Sequence, residues 1–164
     1  MRQIGNGQGD LTVKLLSIMA AYMLVLSTSW AAEFVAPHPD LKPEEVVTIQ
    51  LTALQTNNAE RTDGGIEQTW IFAHPNNKRM TGPLPRFTQM VKGPQYNMLL
   101  NHHTHQIEEA LLAESQVAFK VTVVSQNGDA YQCQWTVEKV AEGSQAGAWM
   151  TTAVTAPQRL GQAI

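Results

Sequence analysis

The run from Val117 to Lys139, VAFKVTVVSQNGDAYQCQWTVEK, decides the fold class. Val117, Phe119, Val121 and Val123 alternate with Ala118, Lys120, Thr122 and Val124, a period of two that belongs to a strand with one buried face. Gln126-Asn127-Gly128-Asp129 interrupts it, and Asn-Gly is the strongest short hairpin signal. Beyond it Tyr131, Cys133, Trp135 and Val137 alternate with Gln132, Gln134, Thr136 and Glu138. The pattern predicts two antiparallel arms near 117–125 and 130–139. Glu142-Gly143-Ser144 turns the chain again. Gly147 to Thr155, containing Trp149 and Val154, reads as a further strand. The tail from Pro157 reads as frayed.

Working back toward the N-terminus, the period lengthens to that of helices. Asp40 is a fair cap, Pro43 suits a first turn, and Glu44 and Glu45 complement the positive helix end. Val47, Leu51 and Leu54, with Val46, make one apolar face, and Asn57-Asn58 breaks it. Asp63-Gly64-Gly65 opens a second helix in which Ile66, Thr69, Trp70 and Ala73 share a face, ended at His74-Pro75-Asn76-Asn77. Thr81-Gly82-Pro83 starts a third, with Leu84, Phe87 and Val91 inward and Gly93-Pro94 as its stop. Residues 95–116 fit short helices or strands equally well, around a polar histidine-rich loop. Helices first and an antiparallel meander second predict an α+β fold, helices on one face of a curved sheet with a cavity between them.

The first 31 residues have the three parts of a secretory signal. Arg2 and Lys14 supply the positive region, Leu15 to Leu26 an uncharged core, and Ser29 and Ala31 the small residues before a cut at Ala32. The alternative is an uncleaved anchor, since Leu15 to Ala32 is 18 residues without a charge. The organisation expected is therefore a signal peptide over 1–31, a proline-stiffened leader over 32–39, one α+β domain over 40–156 and a tail over 157–164. Localisation is expected to be periplasmic or secreted, with the membrane met only through the signal.

The chain carries 11 Lys/Arg and 14 Asp/Glu; Arg2, Lys14 and Asp10 lie in the signal stretch 1–31, leaving 9 and 13 beyond it, a net charge of −4. Such a domain has no basic footprint for nucleic acid. Cys133 is the only cysteine, which excludes an intramolecular disulfide.

His74-Pro75-Asn76-Asn77-Lys78-Arg79 followed by Thr81-Gly82-Pro83-Leu84-Pro85-Arg86-Phe87 resembles the signature SPxNxxxTGPxxRF of the family called domain of unknown function 4864. Pro43 to Val47 with Gln50 to Leu54 resembles its first helix and Gly65-Ile66 its second. Ala148-Trp149-Met150-Thr151 with Val154 resembles its closing strand, CWMTxxV. His74 replaces the usual serine and Ala148 the usual cysteine. The resemblance covers roughly residues 39–155 and implies a cone similar to nuclear transport factor 2, a helix-wrapped curved sheet with a pocket. It implies no activity.

Residues able to carry chemistry are sparse. His74, Arg86 and Tyr96 are the ones to look for in a pocket, since a histidine can serve as a base and an arginine can clamp a carboxylate. The simpler reading gives His74 a capping role and pairs Arg86 with a nearby acid or carbonyl. His102, His103 and His105 form the one local group of metal-ligand type, with His103 and His105 on one face if extended. Without a carboxylate at ligand spacing they read as a polar surface loop rather than a metal site. Trp70, Phe87, Trp135 and Trp149 are candidates to line a ligand cavity. Asn76, Thr81, Gly82 and Pro83 read as a structural loop that can also rim such a site. No cofactor motif is present: no glycine-rich phosphate loop, GxSxG, HExxH or CxxC.

The expectation that follows is a non-enzymatic binding or accessory domain whose pocket holds a small apolar or amphipathic molecule. Two alternatives stand beside it. One is a dehydratase- or isomerase-like enzyme, which needs a carboxylate or histidine deep in the pocket. The other is a structural module that forms a homodimer through the open sheet face.

Overall fold

The computed structural model describes residues 33–163. The proposed signal over 1–31 lies outside them. The described chain is α+β: four helices, a 3-10 turn, then five strands in an open antiparallel sheet.

Helix α1 spans Pro43–Gln55 and buries Val46, Val47, Gln50, Leu51 and Leu54 on one face. Its cap is Lys42 rather than Asp40: the Glu45 carboxylate reaches back to accept from the Lys42 amide at 2.6 Å. Helix α2 spans Gly64–Ile71. Asn57, read from sequence as a breaker, is 2% exposed and accepts from the Ile66 amide at 2.9 Å through its side chain, so it stops one helix and caps the next. The two helices touch at Gly65, where a Cβ would lie 2.0 Å from the Ala53 carbonyl oxygen; only glycine permits that approach.

His74-Pro75-Asn76-Asn77 does not end α2, which stops at Ile71. It starts a helix of its own, α3, over Pro75–Thr81. His74 Nδ1 accepts from the Asn76 amide at 3.1 Å and Pro75 occupies the first turn, where its missing N–H costs nothing. Proline and Asn punctuate a helix at either end, so a sequence signal read as a stop served as a start. Where hydroxyl and carboxylate oxygens are the usual caps, His74 performs the task with a ring nitrogen. Gly82, at φ +84°, separates α3 from α4, which spans Leu84–Lys92 and buries Phe87 and Val91.

After the 3-10 turn Asn97–Leu99, the ambiguous segment resolves into strand β1, Thr104–Leu112. Strands β2 (Gln116–Val124) and β3 (Asp129–Lys139) form the expected hairpin. Val117, Phe119, Val121 and Val123 face Val137, Trp135, Cys133 and Tyr131 across it. The turn is not a two-residue one: Gly128 at φ +79° donates to the Ser125 carbonyl and the Ser125 amide donates to that of Asp129. Asn127 keeps negative φ, and glycine alone takes the left-handed position.

Strand β3 is long enough to hold two partners on its far side. Its C-terminal part pairs with β4 (Trp149–Val154), its N-terminal part with β5 (Gln158–Gln162). The segment expected to fray is thus a sheet strand, fixed by a 2.7 Å ion pair from Arg159 to Asp129. The tail lacks an apolar period because β5 is exposed along most of its length and is held by backbone pairing. The inner sheet face joins α1, α2 and α4 in one core around Leu51, Phe72, Phe119 and Trp135.

Candidate functional site

Strand β4 is the hinge between the sheet and the helices. On one edge it pairs with β3; on the other, the Thr151 amide donates to the Phe72 carbonyl and the His74 amide donates to that of Thr151, both at 2.8 Å. Asn77 Nδ2 adds a 3.1 Å bond to the same Thr151 oxygen. The two stretches that carry the family resemblance, 74–87 and 148–154, are therefore stitched together at Thr151.

Beside this seam lies a cavity of about 250 Å³. Its apolar wall comes from Leu54, Phe87, Met90, Val91, Leu99 and Val154, and Met80 stands at the rim, 79% exposed. Its polar lining includes Gln50, Thr69, Asn77, Thr81, Tyr96 and Thr151. No Asp, Glu, Lys, Arg, His or Cys is among the described lining residues.

Gln50, Trp135 and Thr151, each at most 2% exposed, are bonded to one another. The Thr151 hydroxyl donates to Gln50 Oε1 at 2.6 Å. Trp135 Nε1–H donates to the same oxygen at 3.1 Å and to Thr151 Oγ1 at 3.0 Å. Gln50 Nε2 donates to the Thr69 carbonyl at 3.0 Å. An indole nitrogen can only donate, so the Gln50 oxygen must face it and the amide orientation is fixed. Gln50 shares the buried face of α1 with Val46, Val47, Leu51 and Leu54, and that position is the one sequence cue to its burial.

The candidates named from sequence scatter. Phe87 and Trp135 line the cavity, and so does Tyr96, whose hydroxyl donates to the Val154 carbonyl at 3.1 Å. Burial raises the Tyr96 phenol above its ordinary range, with Cys133 adding to the effect, so it stays neutral. Trp70 and Trp149 do not line it. Trp70 turns toward Lys78, whose Nζ lies 4.4 Å from the ring centroid and bonds the Ile71 carbonyl; Trp149 is covered by Lys139. Trp70 was grouped with Thr69 and Ala73, but one helical step of about 100° takes it off the cavity face.

His74 faces a different groove, with Arg79, Glu138 and Lys139. Burial lowers its pKa, Glu138 opposes that and Arg79 adds to it. Arg86 is exposed and, among the described residues, has no acid within ion-pair distance. Cys133 is a buried thiol pushed up to about 12, an inert apolar group at neutral pH.

The histidine tract divides. His103 is exposed and its Nε2 donates to the Gln126 carbonyl at 3.2 Å. His102, 2% exposed, holds the Leu99 carbonyl through Nδ1 at 2.7 Å and meets His105 Nδ1 through Nε2 at 2.8 Å. His103 and His105 do not form the pair expected from strand alternation, because the strand begins only at Thr104. Among the described residues no group of three or more His, Cys, Asp or Glu is placed to hold a metal ion.

A family model described as Domain of unknown function (DUF4864) matches residues 38–164. The chain belongs to that family. The match includes β5. No curated protein and no solved structure matches the chain.

Proposed function

We propose that this family member is a small-molecule binding domain, and that the cavity between α1, α4 and β4 is its site. One observation carries the reading: the cavity has an apolar wall, a hydrogen-bonded polar floor and no charged residue among its described lining. Ligand sites are concave, mostly apolar and supplied with a few placed polar groups. Acid–base enzymes draw most often on a histidine, carboxylate or lysine; the described lining holds none, and its phenol, Tyr96, is committed to the Val154 carbonyl, which favours binding over that alternative. A volume of 150 Å³ suffices for benzene, so about 250 Å³ suits a ligand of about ten non-hydrogen atoms.

The N-terminal pattern supports export of this domain to the periplasm or beyond, with cleavage before Ala32. The arrangement of helices against an antiparallel sheet is in keeping with the nuclear-transport-factor-2-like cone that the family resemblance implies. An accessory role, carrying or sensing a small molecule outside the cytoplasm, fits both.

The test is saturation-transfer NMR of the full chain with toluene and indole, alongside imidazole as a polar control. Transfer to the first two, abolished when Val154→Phe fills the cavity, is the expected result. No transfer to either aromatic sinks the proposal.

A further inference from the structure

The cavity floor has an accounting surplus that points to the chemistry of the ligand's polar end. Gln50 Oε1 already accepts two hydrogen bonds, from Trp135 and from Thr151. Gln50 Nε2 carries two hydrogens and places one on the Thr69 carbonyl. Its second hydrogen has no acceptor among the described residues, although Gln50 is 1% exposed and lines the cavity. Asn77, half-buried and also in the lining, commits its amide nitrogen to the Thr151 carbonyl, and its own oxygen has no donor among the described residues. One buried donor and one acceptor are therefore left over in a cavity without a formal charge.

Resting on the binding role argued above, we infer that the pocket selects an uncharged amphiphile with a hydroxyl or amide head, seated between Gln50 and Asn77 with its apolar tail along Phe87, Val91 and Leu99. A hydroxyl or primary amide both accepts and donates, which matches the two unused groups. A carboxylate of the same length matches the donor alone. It also brings a negative charge into a cavity with no cation to pair it, and burying an unpaired charge is strongly unfavourable. A plain alkane fills the wall and leaves the donor and acceptor unpaired, so it gains no head contribution.

Octanamide, 1-octanol, octanoate and octane separate these cases by head group at nearly constant tail. Calorimetric or NMR titration of the full chain at about pH 7.5, where octanoate is ionised, should rank octanamide and octanol together at the top. Octanoate should bind at least about tenfold more weakly, the consequence of an unpaired buried charge. Asn77→Ala should erase most of the advantage of octanamide over octane while leaving octane binding in place. Val154→Phe should abolish binding of all four and so locate them in this cavity. Octanoate binding as tightly as octanamide, or octane matching it in the unsubstituted protein, overturns the head-group assignment while the binding role stands. Silence from all four probes, with toluene and indole also silent, overturns both.

Discussion

Acid should destabilise this domain through His102, and the structure sets the size of the effect. The Leu99 carbonyl can only accept, so His102 Nδ1 must carry a proton, and the neutral ring then offers Nε2 as acceptor to His105 Nδ1–H. Protonating His102 puts a hydrogen on Nε2, facing another N–H, inside a site that is 2% exposed. Burial accordingly lowers the pKa of His102 foremost, the Leu99 bond opposing it and the neighbouring histidines adding to it; burial lowers His105 as well. The sign follows from linkage: with a folded pKa below the unfolded value of about 6.5, the unfolded chain binds more protons, so stability falls as pH drops below about 6.5 and levels off beneath the folded pKa. Each unit of pH in that window is worth up to about 1.4 kcal/mol for one histidine, so pH 5 costs His102 up to about 2 kcal/mol relative to pH 8. His105 is only half-buried and adds less, because solvent screens its charge. His102→Asn keeps a donor near the Nδ1 position and removes the titration. Urea unfolding followed by tryptophan fluorescence should show wild type ahead at pH 8 by the lost contacts, about 1–2 kcal/mol, and that lead shrinking by up to about 2 kcal/mol at pH 5. A lead that stays constant across the range would falsify the neutral-pair account.

Three further expectations rest on separate parts of the fold. Gln50→Leu should lower stability by about 2–3 kcal/mol, because it strands the Thr151 hydroxyl and the Thr69 carbonyl in a dry interior, measured by denaturant melts. Phe87→Ala should cost about 3 kcal/mol, the lower end for a buried phenylalanine since part of its ring already borders the cavity, whereas exposed Arg86→Ala should stay within about 0.5 kcal/mol; equal losses for the two would contradict the placement of Arg86. Removing residues 157–164 should speed amide exchange at 129–132, which pair with β5, and spare 135–139, which pair with β4; uniform acceleration would mean that β5 holds the whole sheet rather than one end of it.

What could be seen in the sequence divides along physical lines. The β2–β3 hairpin was legible because a half-buried strand writes its burial directly into a two-residue period, and Val121 opposite Cys133 follows from register once the turn is located. Helix α1 was legible for the same reason at a longer period. Strand β5 left no such trace, because a strand exposed along most of its length is held by backbone pairing and a surface ion pair, neither of which imposes an apolar period. The candidate site was half legible. Phe87 and Trp135 announced themselves as large apolar groups at inward positions. Gln50 and Thr151 did not, because a buried hydrogen-bonded polar group and a solvated one are the same letter; their placement beside the Trp135 indole, 85 residues from Gln50 along the chain, distinguishes them. His102 shows the limit most sharply. Three histidines within four positions read as one surface tract, yet His102 is sealed in the interior while its neighbour His103 stands in solvent, just after Asn101 turns at φ +53° and before the strand begins at Thr104. A composition cue treats the tract as a unit, whereas backbone geometry divides it. The titration expected of His102 is therefore a property of the fold that no reading of the tract alone could have supplied.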